Sequence, residues 1–160
     1  MEGYDVSNIQ GKQATGSMVV FKKGLPNKAE YKRFKIKTLK EPNDVGMLKE
    51  VLQCRLAHTE WPMPQVILID GGKGQLNVAL KLKTENEKLK TTIKNLKLKK
   101  IKFTTLAKRK NTLFVEGGKN PLLLKDLPPE VSNLILRIRD EAHRFAITYH
   151  RKLRNKNLLK

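Results

Sequence analysis

Val66-Ile67-Leu68-Ile69-Asp70-Gly71-Gly72-Lys73-Gly74 is the stretch whose reading decides the fold. Four apolar residues in a row, three of them Val or Ile, read as a strand buried on both faces. The run ends on a carboxylate, and two glycines follow before Gln75-Leu76-Asn77-Val78-Ala79-Leu80 resumes with helical spacing. A buried strand that empties through a Gly-rich turn into a helix is the unit of an α/β sheet, in which ligands sit beyond the carboxyl ends of the strands. Asp70 therefore stands where chemistry is placed, although an Asp at that point can equally cap the following helix. The glycines do not make a Walker loop. The G-x-x-x-x-G-K-[ST] spacing is absent, and Gly74 occupies the place of the metal-binding hydroxyl. What remains is a glycine turn that lets a phosphodiester backbone come close.

Upstream, Glu2-Gly3-Tyr4-Asp5-Val6-Ser7 reads as a short strand carrying Asp5, begun so abruptly that a domain of a longer protein is expected. A turn at Asn8 to Gly11, a strand over Ala14 to Lys23 and a hairpin connection at Gly24-Leu25-Pro26-Asn27 follow. Glu30 to Lys37 then reads as a third strand, with Phe34 and Ile36 on one face. Pro42-Asn43-Asp44 opens a helix whose apolar positions Val45, Leu48, Val51, Leu52 and Leu56 follow the 3.6 period. Cys54 lies in this segment and reads as a core filler, and Trp61-Pro62-Met63-Pro64 forms a rigid connector.

Downstream, a helix from about Lys73 towards Lys90 merges into a lysine run between Lys81 and Lys102, either a solvated face or a rail for DNA. Strands are expected over Ile101 to Ala107 and at Leu113-Phe114-Val115, with a fragment at Leu122 to Leu124. Pro128-Pro129-Glu130 starts a last helix, whose stripe runs Val131, Leu134, Ile135, Ile138, Ala142, Phe145, Ala146, Tyr149 and Leu153. Arg139, His143 and His150 lie along one flank of it. This order makes an α/β fold: an RNase H-like mixed sheet of antiparallel hairpin strands plus parallel strands, flanked by helices. In that arrangement the strands bearing Asp5 and Asp70 are neighbours.

The 160 residues suit one domain, 1–160. No run is apolar for as long as a membrane span requires, and no signal-peptide pattern opens the chain. A single cysteine excludes a disulfide framework and fits a reducing, cytoplasmic setting. With three scattered histidines, it also argues against zinc. Against 15 Asp and Glu stand 34 Lys and Arg, a formal charge of +19, which points to nucleic acid before a membrane surface.

Several pieces together resemble the C-terminal endonuclease domain of UvrC, the incision subunit of bacterial nucleotide excision repair. They are Tyr4-Asp5-Val6-Ser7-Asn8 with Gly11, Glu30-Tyr31-Lys32-Arg33-Phe34, Leu68 to Leu76, Leu106-Ala107-Lys108, Leu127-Pro128-Pro129 and Ile138 to Ala146 with His150-Arg151-Lys152. The resemblance implies an RNase H-like fold with an Asp-Asp-His metal site at Asp5, Asp70 and His143. It implies hydrolysis of the damaged strand on the 5′ side of a lesion, in a nucleoid-associated protein. Its parts for the 3′ cut, for UvrB docking and for gripping duplex (the helix-hairpin-helix pair) are absent from this sequence. The family's pair of acids before the first helix appears here as Asn43-Asp44, so a supporting catalytic role falls on Asp44 alone. Gly3 replaces a frequent Cys, a departure expected to matter little.

Phosphodiester hydrolysis needs a hard cation, and two carboxylates from adjacent strands are a seat for Mg²⁺ or Mn²⁺. His143 would close that site as ligand or proton-transfer group. Glu141 stands about 200° around the helix from His143, so both cannot face one ion. Asp140 is expected to pair at the surface with Arg144 or Arg137. His150 is either a phosphate contact or a polar residue near the chain end. The expected partners are damaged duplex DNA and, through the missing parts, UvrB, with no membrane and no small-molecule substrate. The rival readings are a non-catalytic basic nucleic-acid-binding module and another RNase H-superfamily nuclease acting on RNA–DNA hybrid or junctions.

Overall fold

The computed structural model describes residues 1–9, 13–37, 43–88 and 92–158. Gln10 and Gly11 of the expected turn, Pro42 of the expected helix start and residues 89–91 of the lysine run lie outside the described residues, as does the side chain of Leu153. Among the described residues, eight strands form one mixed sheet: β1 (Glu2–Ile9), β2 (Gln13–Lys22), β3 (Leu25–Pro26), β4 (Lys32–Lys35), β5 (Val66–Asp70), β6 (Lys102–Ala107), β7 (Thr112–Val115) and β8 (Leu122–Leu123). Their order is β3-β2-β1-β5-β6-β7-β8, with β4 also paired to β2. The β1–β5 and β5–β6 pairs are parallel, and the outer pairs are antiparallel. The sheet is covered by the helices α1 (Asp44–Ala57), α2 (Lys73–Lys88), α3 (Thr92–Lys100) and α4 (Pro129–Leu158).

The alternation of each strand divides the core in two. Tyr4, Met18, Val20, Ile67, Ile69 and Phe103 pack with α1 and α2, where Met47, Leu48, Val51, Leu52, Leu76 and Ala79 are buried. Val19, Phe21, Leu68 and Leu106 face α4 through Ile135, Ile138 and Ala142. β5 is thus buried on both faces, as its four apolar residues require.

Four local expectations are corrected. The third strand begins only at Lys32, because Lys28–Glu30 winds into a 3-10 turn. The hairpin turn is Lys23-Gly24, both in the left-handed region, and Leu25 and Pro26 already pair with β2. Cys54 is exposed, and its neighbour Arg55 is buried instead, 1 % exposed. Arg55 donates to Glu2 through Nη2 at 2.7 Å and to the Pro62 carbonyl at 2.7 Å, while the Tyr4 hydroxyl donates to Glu2 at 2.6 Å. Lys83 likewise leaves the solvated lysine run. It is buried, donating to the Ile101 carbonyl at 2.7 Å and to Glu116 at 2.8 Å.

α4 crosses β1 closely because Gly3 has no side chain. A Cβ at Gly3 would stand 2.4 Å from Ile138 Cγ2 and 3.1 Å from Val19 Cγ2. Gly3→Ala is therefore expected to cost about 1–3 kcal/mol, the usual range for overpacking. Urea denaturation checks it, and an unchanged midpoint would mean that α4 shifts without penalty. In this chain Gly3 is not a neutral departure.

Candidate active site

β1 and β5 run parallel with Tyr4 opposite Ile69, so the next residues on the two strands are Asp5 and Asp70. Tyr4 and Ile69 point into the α1–α2 core. Strand alternation therefore turns both carboxylates to the α4 face, at the carboxyl ends of adjacent strands. On α4, Ile138 packs on Gly3 and Ala142 is buried one turn later. His143 follows, and its Nδ1 lies 2.8 Å from Asp5 Oδ2. A cavity of about 400 Å³ opens here, and its walls include Asp5, Asp44, Asp70, Lys108 and His143. The three acids and the imidazole singled out from the sequence thus share one pocket, with Asp44 in the first turn of α1.

Asp5 is 6 % exposed. Burial raises the Asp70 carboxyl above its ordinary value; Lys108 draws it down, and the nearby charge of Asp5 pushes it further up. Lys108 Nζ stands 3.5 Å from Asp70 Oδ2. In the sequence Lys108 is only the last residue of the motif Leu106-Ala107-Lys108. Its position two residues beyond the segment of β6 that pairs with Asp70 was the available signal.

Among the described residues, no N–H of the first turn of α2 donates to Asp70. The first turn of that helix is closed by Gln75, whose Oε1 accepts the Gly72 N–H at 3.0 Å. Gly71 permits this fold-back, since a Cβ there would stand 2.7 Å from Gln75 Cγ. Asn43 is the cap of α1, accepting from Gly46 N–H at 3.1 Å. Among the described residues, no three His, Cys, Asp or Glu side chains are gathered tightly enough to hold an ion as they stand. Asp5 is engaged by His143, and Asp70 by Lys108.

The flanking acids sort themselves out. Glu141 turns away from the pocket, accepting from the Tyr31 hydroxyl at 3.0 Å and pairing with Arg144. Asp140 pairs with Arg139, at 2.8 Å, rather than with Arg144 or Arg137. Arg139 also donates to Asn111 at 3.1 Å, which ties α4 to the turn carrying Lys108. Burial lowers the pKa of His150, against an opposing pull from Asp5, so at neutral pH it is uncharged and close to the site.

Among the described residues, no helix is long and apolar enough to cross a membrane. Residues 1–147 match the model of the UvrC RNAse H endonuclease domain. The chain is 47 % identical over 161 residues to the UvrABC system protein C of Dictyoglomus thermophilum, covering 99 % of this chain and 25 % of that protein. It is 42 % identical to the same protein of Bdellovibrio bacteriovorus, covering 96 % of this chain and 25 % of that one. The chain therefore spans about a quarter of the length of these relatives. Among solved structures, Ciona intestinalis endonuclease V in complex with an inosine-containing DNA is a distant likeness, with 23 % identity, 67 % of this chain and 45 % of that chain covered, and a TM-score of 0.43. With nearly its whole length matched by one family model and by these relatives, the chain belongs to the UvrC RNase H endonuclease domain family.

Proposed function

We propose that this domain is a metal-dependent DNA endonuclease that makes the 5′ incision beside a lesion in nucleotide excision repair. The observation that carries the reading is the pair Asp5 and Asp70, set on one face at the ends of adjacent parallel strands, with His143 delivered to Asp5 by α4. The donor set suits Mg²⁺ or Mn²⁺. Two carboxylates offer hard oxygens, and the Lys108 ammonium stands against Asp70 as a cation would. Asp5 and Asp70 would hold the ion, with His143 as the third member. When bound, such an ion polarises the phosphate and acidifies a water.

The remaining work falls to the chain's own side chains. With Asp5 accepting from His143 Nδ1–H, the other ring nitrogen, Nε2, is the atom left to face the cation as its third ligand. Asp44, at the pocket edge, supports the site from α1. Lys108, Arg109 and Lys110, exposed in the turn after β6, are the cations nearest at hand for the phosphates of a bound strand. The charge of +19 draws the polyanion with little regard to base sequence. Lesion choice, UvrB docking and duplex gripping come from parts of the full-length protein, which works at the nucleoid in the cytoplasm.

Supercoiled plasmid tests the nuclease reading. The chain is expected to nick it weakly in Mn²⁺, more slowly in Mg²⁺ because imidazole is a poorer ligand for Mg²⁺, and not at all in EDTA. His143→Ala should remove nicking, while log affinity for duplex still falls steeply with log salt. Undiminished nicking in EDTA would sink the metal-dependent reading, and binding without nicking in any metal would favour a non-catalytic module. The 5′ assignment is checked by full-length protein with UvrB on an end-labelled lesion duplex, by mapping which cut a Asp5→Asn variant loses.

A further inference from the structure

Resting on the nuclease reading above, one contact in the pocket points to a second job for Lys108. Its side chain is 74 % exposed, yet its ammonium sits 3.5 Å from the carboxylate of Asp70, which is 15 % exposed. The partners differ in freedom: Asp70 is fixed at the end of a buried strand, whereas the lysine stem lies in solvent and can swing. The backbone under Lys108 is held. Lys110 and Asn111 are both in the left-handed region, which costs a non-glycine residue energy and persists only where the surroundings enforce it. Here the Asn111 side chain accepts from Arg139 of α4. The turn is thus a rigid base for a movable charge at the pocket mouth.

We propose that Lys108 is a displaceable counter-ion. It neutralises Asp70 while the pocket holds no divalent cation, and it moves onto a phosphate oxygen of the nucleic acid when the cation takes its place. The arrangement keeps the two neighbouring carboxylates from facing each other uncompensated. It also makes cation binding and phosphate binding mutually supportive, because the first releases the group that serves the second.

The test is Lys108→Gln, with Lys108→Arg as the charge-keeping control, in the 160-residue chain. Mn²⁺ binding without DNA is followed by calorimetry or by the loss of the free-ion paramagnetic resonance signal. Removing a competing exposed charge should tighten Mn²⁺ about three- to fivefold, while Lys108→Arg stays near the parent. With duplex DNA present, the same Gln variant should bind more weakly, its salt slope smaller by about 0.9, the share of one phosphate contact. Unchanged or weaker Mn²⁺ binding in Lys108→Gln would overturn the counter-ion role. Asp70→Asn, run in parallel, separates the two levels of the argument. If it binds Mn²⁺ as tightly as the parent, the cation reading of the pocket fails and takes this proposal with it. If it weakens Mn²⁺ while Lys108→Gln changes nothing, only the proposal about Lys108 fails.

Discussion

Asp5→Asn and Asp70→Asn are each expected to reduce nicking by about a thousandfold or more, the scale on which several kcal/mol of cation-borne stabilisation disappears. The two variants should nevertheless fold, and Asp70→Asn should melt at a higher temperature than its parent. The sign follows from the site. Burial raises the folded-state pKa of Asp70 above its ordinary value of 3.8, and the net shift stays upward despite Lys108. The folded protein therefore holds the Asp70 proton more tightly than the unfolded chain does. That advantage is present at low pH and is lost as pH rises through the raised value, so the ionised carboxylate weighs against folding at neutral pH. A neutral amide removes the burden. Added Mn²⁺ should raise the melting temperature of the parent by mass action and leave that of Asp70→Asn nearly unmoved. A lowered melting point in Asp70→Asn would instead restore a structural role for this carboxylate. DNA binding should persist in both variants or tighten slightly, since each loses a negative charge near phosphate.

The largest loss of stability is expected far from the chemistry, at Arg55. Its guanidinium is buried with Glu2 and satisfied on several sides: by Glu2 through Nε and Nη2, by the Pro62 carbonyl, and by the His58 carbonyl at 3.2 Å. Burial and then the Glu2 charge drive the Tyr4 phenol well above its ordinary pKa, so Tyr4 remains a donor to Glu2. Arg55→Ala leaves Glu2 charged and stranded in the interior, a change that costs about 3–5 kcal/mol in comparable cases. A domain of this size has about 5–15 kcal/mol in all. Urea denaturation should therefore show a midpoint that falls by about a fifth or more of its value, and nicking should drop at 37 °C through unfolding. The double variant Glu2→Leu with Arg55→Met should recover most of the loss, because an apolar pair of similar volume removes both charges together. If Arg55→Ala melts like its parent, Glu2 has found water or another partner, and the network is not what joins β1 to α1.

The reach of the sequence was greatest where a pattern is local. Four apolar residues before Asp70 placed β5 in the middle of a sheet, and the stripe through Ile135, Ile138 and Ala142 placed α4 against it. Both patterns are periodic, and periodicity records which side of an element meets water. Asp5, Asp70, Asp44 and His143 were also legible, through strand ends and through motifs that resemble one family. Their common pocket follows from the parallel pairing of β1 with β5. Charge pairing was not legible, because it has no period. Nothing near Arg55 marks it as buried while Cys54 beside it is exposed; the partner that makes burial tolerable is Glu2, 53 residues away. Lys83 stayed hidden in a lysine run until Glu116 claimed it. Lys108 was one cation among many until the sheet set it beside Asp70. By itself the sequence determined the layers of this domain, its positive charge and which acids and histidine to look for in one pocket. Which charges are buried, which carboxylate each cation answers and which face α4 lays over the site were decided by tertiary structure, since the cost of burying a charge depends on a partner that only the folded chain brings near.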